Sequence, residues 1–136
     1  VAAGSSYIYN HEIGYDDDGS AMNSFIESAS MDLSDGDSFI YIRRVIPDLT
    51  FSGSTNLSSP QATFTIKARN FPGEDFNNTA SGTTERTASS PVETFTNQLH
   101  LRSRGRSFAL KVESTALGTK WKLGSPRIDQ RADGRR

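Results

Sequence analysis

The chain has 136 residues, 15 Lys and Arg against 16 Asp and Glu, and 34% hydrophobic residues, below the roughly 45–50% apolar content of an ordinary globular domain. It contains no cysteine, which excludes a disulfide framework and a thiolate metal site. No run approaches the ~18–20 apolar residues of a membrane-spanning helix. Ser, Thr, Asn and Asp fill the difference, so the core is thin, and part of the chain is expected to be loop or to be buried only against partners.

The net charge of −1 conceals a polarity. Residues 1–50 carry 9 acidic and 2 basic side chains, whereas residues 102–136 carry 3 acidic and 10 basic ones. Such asymmetry implies complementary faces, either within one fold or between copies of it. The chain opens on Val1 and is read as a processed product or part of a longer polypeptide, a single all-β module over residues 1–136.

Helical periodicity is absent, while alternation and β-forming residues recur. Tyr7-Ile8-Tyr9 reads as a short strand, followed by the polar loop Asp16-Asp17-Asp18-Gly19-Ser20. Asn23 to Leu33 is extended, with Phe25, Met31 and Leu33 as candidates for burial. Asp35-Gly36 carries the signal of a type I′ hairpin turn. The following run, Ser38 to Ile46, places apolar residues on both faces, which predicts a central strand covered on two sides. Pro47 and Asp48 end it, and Gly53 to Pro60 is loop.

Ala62 to Arg69 alternates, with Phe64, Ile66 and Ala68 on one face and Thr or basic residues on the other, a strand with one wet side. Residues 70–91 hold many small polar residues and little that could form a core, so a long projecting loop is expected there. Phe95 to Leu101 reads as a strand, Arg104-Gly105 as a turn, and Phe108 to Val112 as a returning strand with Phe108, Leu110 and Val112 facing in. Leu117-Gly118 turns into Lys120-Trp121-Lys122-Leu123, where Trp121 and Leu123 share a face. Pro126 to Arg131 is again extended. The expected fold is an all-β antiparallel meander, part of a β-propeller or β-sandwich. Ser-Asp-Gly-Asp-Ser-Phe before the central strand is echoed by Ser-Arg-Gly-Arg-Ser-Phe, with Gly36 and Gly105 in equivalent places.

Little catalytic chemistry is legible. Asp16, Asp17 and Asp18 invite a calcium reading, but an EF-hand loop needs Gly at its sixth place and Glu at its twelfth. Counted from Asp16 these are Ala21 and Glu27, and a solvated loop explains the cluster more simply. His11 and His100 lie far apart without further ligands at zinc spacing. No Gly-x-Ser-x-Gly elbow supports a serine nucleophile. No enzyme activity, metal or cofactor is therefore expected. Arg102, Arg104 and Arg106 crowd a single turn and offer planar bidentate donors. They suit an inter-subunit salt bridge to the acidic half of a neighbour, a DNA-backbone contact, or a solvated turn.

The segment from Phe95 to Ser114, with Trp121-Lys122-Leu123-Gly124, Pro126-Arg127-Ile128-Asp129 and the terminal Asp133-Gly134-Arg135-Arg136, resembles the C-terminal end of tail nozzle or tail tubular proteins of short-tailed bacteriophages, which are related to packaged-DNA stabilisation proteins. Phe25-Ile26-Glu27-Ser28, Asp35-Gly36-Asp37 and Arg43-Arg44-Val45-Ile46-Pro47-Asp48 share the resemblance, whereas Gln130 and Ala132 depart from it. The resemblance implies a structural virion protein in a ring, a hexamer, that forms the distal tail tube through which DNA passes. Its partners would be copies of itself and other tail proteins, with assembly in the host cytoplasm. Candidate inter-subunit contacts are Arg102, Arg104 and Arg106 against Asp16, Asp17 and Asp18. A carbohydrate-binding β-sandwich is the alternative, with Tyr7, Tyr9, Tyr15 and Trp121 as its possible aromatic platform.

Overall fold

The fold is all-β, and every strand pair is antiparallel. The computed structural model describes residues 10–32, 36–56, 61–71, 73, 74, 76 and 87–135; the expected strand Tyr7–Tyr9 lies outside them. The strands are β1 (Asp16–Asp17), β2 (Ser20–Ala21), β3 (Ser24–Glu27), β4 (Met31–Asp32), β5 (Ile40–Ile46), β6 (Leu49–Thr50), β7 (Ala62–Arg69), β8 (Thr87–Val92), β9 (Ser103–Gly105), β10 (Ser107–Ser114), β11 (Lys122–Leu123) and β12 (Arg127–Ala132). One sheet runs β3-β10-β7-β8, with β4 also on β10, and a second runs β12-β5-β9. Two small pairs, β1–β2 and β6–β11, complete the set.

The two larger sheets share one core, the arrangement of a β-sandwich. Ile40, Ile42 and Val45 of β5 cluster with Phe64, Ile66 and Ala68 of β7, Phe108 and Val112 of β10, and Phe51, Val92, Leu99 and Leu101. Alternation builds β7 and β10 as expected, since Phe64 opposes Val112 and Ile66 opposes Leu110, and directly opposed side chains share a face.

The expectation of two-sided burial for β5 is corrected. Its register against β12 shifts between Asp129 and Gln130, so that Asp129 opposes Arg44 while Gln130 opposes Ile42. Arg43 is the extra residue of this β-bulge, and an extra residue inverts the facing of the rest of the strand. Ile40, Ile42 and Val45 therefore all reach the same core despite their odd spacing, while Arg43 and Ile46 are exposed. Residues on two apparent faces are in fact on one.

Three more expectations are revised. The long loop over 70–91 contains β8 at its end, which pairs with β7 from Thr87–Lys67 to Val92–Ala62. Its small polar residues suit an edge strand, and Pro91 is tolerated there because an edge need not donate outward. Phe95 to Leu101 forms no continuous strand; only Leu99 bridges to Val45, and Phe95 is exposed. Phe25 and Met31, expected to be buried, are exposed; Leu33 is outside the described residues.

No hairpin joins β4 to β5, since β4 pairs with β10 whereas β5 pairs with β9 and β12; Asp35 of the expected Asp35-Gly36 turn lies outside the described residues. Arg104-Gly105 is part of β9, not a turn. The second copy of the echoed hexapeptide carries the chain from β9 of the smaller sheet to β10 of the larger one, and the described residues of the first copy, 36–39, lead into β5. The pairs Met31–Phe108 and Asp32–Ser107 continue, after residues 33–39 on one side and Arg106 on the other, as Ile40–Gly105, Tyr41–Arg104 and Ile42–Ser103. A single antiparallel ribbon thus bends around the corner of the sandwich, and the echo marks that corner.

Candidate functional site

The corner gathers the arginines. Phe39 precedes β5 and is buried; the Arg104 guanidinium lies 4.1 Å from its ring centroid and that of Arg106 lies 4.8 Å from it. Cations over an aromatic face are attracted by the ring quadrupole. The C-terminal segment closes over them. Arg104 Nε donates to the Asp133 carboxylate, and Arg106 Nη2 donates to the Arg135 carbonyl at 3.1 Å. Arg135 in turn pairs with Asp37 at 3.4 Å, and backbone bonds join Phe39 N–H to the Gly134 carbonyl and Asp133 N–H to the Phe39 carbonyl. Arg106 also stands 5.6 Å from the Phe71 ring.

Arg104 and Arg106 are therefore engaged within the chain, locking the last described residues onto the corner. Arg102 is exposed and takes no part in that lock. Gly105 lets β9 approach β7 closely here: a Cβ would stand 2.9 Å from the Arg69 carbonyl oxygen and 3.1 Å from Ala68 Cβ. Ser107, fully buried, accepts a bond from Arg69 Nε at 3.2 Å.

A second junction joins two segments that sequence patterns alone could not bring together. Asp48 accepts the Ser125 N–H at 2.7 Å through its carboxylate and the Gly124 N–H at 2.7 Å through its carbonyl. Gly124 abuts that carboxylate with no room for a Cβ. This clamp places β11 beside β6, where Lys122 opposes Thr50 and Leu123 opposes Leu49. The buried Phe51 comes next in the chain; its single position in a Ser-rich stretch gave no periodic signal.

The aspartates are divided. Asp18 and Gly19 form the turn of the β1–β2 hairpin with φ values of 47° and 82°, the two positive angles of a type I′ turn. The Asp-Gly turn sought at residues 35 and 36 thus occurs one Asp-Gly pair earlier. Asp17 and Asp18 are exposed, while Asp16 Oδ1 accepts the Gly118 N–H. Among the described residues, no three His, Asp or Glu side chains are grouped to hold a metal ion. The structure brings Asp16 to the Leu117-Gly118 turn and not to Arg102, Arg104 or Arg106 of the same chain.

Of the aromatic candidates, Tyr15 is half-buried under Lys120, whose Nζ lies 3.2 Å from its hydroxyl. Trp121 packs against the core and donates Nε1–H to Ser24 Oγ at 2.9 Å. Tyr7 and Tyr9 lie outside the described residues. Exposed apolar side chains are scattered over the surface, Ile13, Phe71 and Phe95 among them, and three of them, Phe25, Ile26 and Met31, fall on one edge of the larger sheet. Sequence reasoning missed this edge because it read apolar residues in an extended segment as buried ones.

Compared with protein-family models and with curated proteins, the chain has no significant match.

Proposed function

We propose that this chain is a structural component of a bacteriophage tail tube or nozzle ring, acting in tail assembly and DNA passage through contacts with copies of itself and with other tail proteins. One observation carries this reading: the segments that resemble tail nozzle proteins converge in space. Asp37, Arg104, Arg106, Asp133 and Arg135 meet around Phe39, and Asp48 meets Gly124 and Ser125. Their roles there are mechanical. Charged groups hold sheet corners and chain ends, which suits a part built to keep its shape within an assembly. The exposed apolar side chains of the β3–β4 edge, Phe25, Ile26 and Met31, support the same reading, since exposed apolar surface marks interaction sites.

The test is to raise antibodies against the chain and apply them to purified short-tailed phage particles in negative-stain electron microscopy, with peptide mass spectrometry of the same particles. Label at the distal tail, with peptides spanning residues 87–135, is the expected result. Particles that lack these peptides would overturn the reading.

A further inference from the structure

Among the described residues, no further strand pairs with either edge of the larger sheet, and the two edges differ. β8 carries Pro91, which cannot donate to an added strand. β3 and β4 carry no proline and no lysine. The single charged residue of β3, Glu27, is held by Lys67 at 2.9 Å. Phe25 is 62% exposed, Ile26 52% and Met31 41%.

Two of these side chains point toward the core. Ile26 opposes Val112 and Met31 opposes Phe108, and opposed residues share a face. Val112 and Phe108 are buried core residues. Ile26 and Met31 are therefore the outward continuation of the core, and among the described residues nothing covers them. Phe25 stands on the opposite face, 5.4 Å from Lys111 Nζ. An edge strand of this kind offers backbone bonds together with apolar side chains on both faces, the needs of strand addition.

Charge selects the occupant. The edge strands β3 and β4 carry Glu27 and Asp32 and no Lys or Arg. Two such edges would repel each other. One of the two edges of the smaller sheet, β12, is opposite in sign: Arg127 and Arg131 are exposed, while Asp129 is occupied by Arg44 at 3.5 Å. We infer that the β3–β4 edge of one copy receives the β12 edge of a second copy of this chain, joining acidic to basic strand and covering Ile26 and Met31. Such a contact is head-to-tail, and repeated it closes a ring or extends a filament.

This inference deepens the proposed tail-ring function and rests on it for its biological setting. The chain has no cysteine, so single-cysteine variants report contacts cleanly. Ile26→Cys and Gln130→Cys chains are mixed and treated with a short bismaleimide, alongside sedimentation velocity over a concentration series. The expected product is the mixed dimer, and Phe25→Ser with Ile26→Thr is expected to raise the dissociation constant at least about thirty-fold with an unchanged β-sheet circular dichroism spectrum. Arg127→Glu with Arg131→Glu is expected to weaken association as well, and more so at low salt. Cross-links confined to like variants, or a monomer at all concentrations, would overturn the interface. Either result leaves the labelling of phage particles unaffected, so failure of the interface and failure of the tail reading are separable.

Discussion

The guanidinium of Arg104 lies 4.1 Å over the ring of Phe39, and the two residues come from the two copies of one hexapeptide pattern. The first copy supplies the aromatic face, Asp37 and the lead into β5; the second supplies two cations and the crossing from β9 to β10. Their echo is a packing relation between two halves of one bent ribbon, not a repeated blade.

Phe39→Leu keeps an apolar side chain at the corner but removes the π face beneath Arg104 and Arg106. The expected loss is about 1–2 kcal/mol of unfolding free energy, read by urea denaturation. Phe39→Ala adds a cavity and should cost about 3–5 kcal/mol. Because residues 133–135 are tied to this corner, both variants should also speed tryptic cleavage after Arg131. Unchanged cleavage with reduced stability would mean that the C-terminal segment is held elsewhere.

Gly105→Ala places a methyl group 2.9 Å from a backbone carbonyl oxygen and 3.1 Å from Ala68, neither of which is the end of a flexible side chain. A loss of at least about 2 kcal/mol is expected, in the range of overpacked sites. Gly134→Ala is the useful comparison, since its Cβ would meet nothing within 4 Å and only its φ of 77° is strained. That strain costs about 1 kcal/mol. Thermal melts of the two variants should rank accordingly, and equal melting points would remove the close-approach argument.

At the β1–β2 hairpin, turn chemistry and charge can be separated. Asp18→Asn keeps a residue that tolerates positive φ and should leave stability unchanged. Gly19→Ala should cost about 1 kcal/mol. Asp16→Asn should cost more than Asp18→Asn, because Asp16 accepts the Gly118 N–H and a charged acceptor makes the stronger bond. Denaturation midpoints of the three variants, measured side by side, test the order.

The legible parts of the fold were those with large side chains in strict alternation. Phe64, Ile66 and Ala68 announced β7, and Phe108, Leu110 and Val112 announced β10. β8 was illegible because Thr87 to Pro91 contains only Ala88 as an apolar residue, and the partner strand, not its own composition, makes it a strand. The arginine trio was legible as a site. Its partners were not, because Asp133 lies 29 positions from Arg104 and Phe39 lies further still. The exposed edge was missed for a related reason: periodicity shows that Phe25 and Met31 are extended, but only the strand pairing shows that Phe25 faces away from the core and that Met31 lies at the rim of the sheet.

In β5 the facing of side chains can be tested by deletion. Its bulge places Arg43 outside the ladder, between the pairs Ile42–Gln130 and Arg44–Asp129. Deleting Arg43 makes those two pairs successive and leaves Ile42 and Val45 two positions apart, on one face of a regular strand. Deleting Tyr41 makes Ile40 and Ile42 adjacent, which forces one of two buried core residues toward solvent. Burial of one such side chain is worth about 1.5–3 kcal/mol, so the Tyr41 deletion should be the less stable variant by about that margin. Both should be compared by urea denaturation with tryptophan fluorescence, since Trp121 packs against the same core. If the Arg43 deletion proves equally damaging, the bulge itself is needed to turn β5 between β12 and the Leu99 bridge to Val45, and facing alone does not explain the strand.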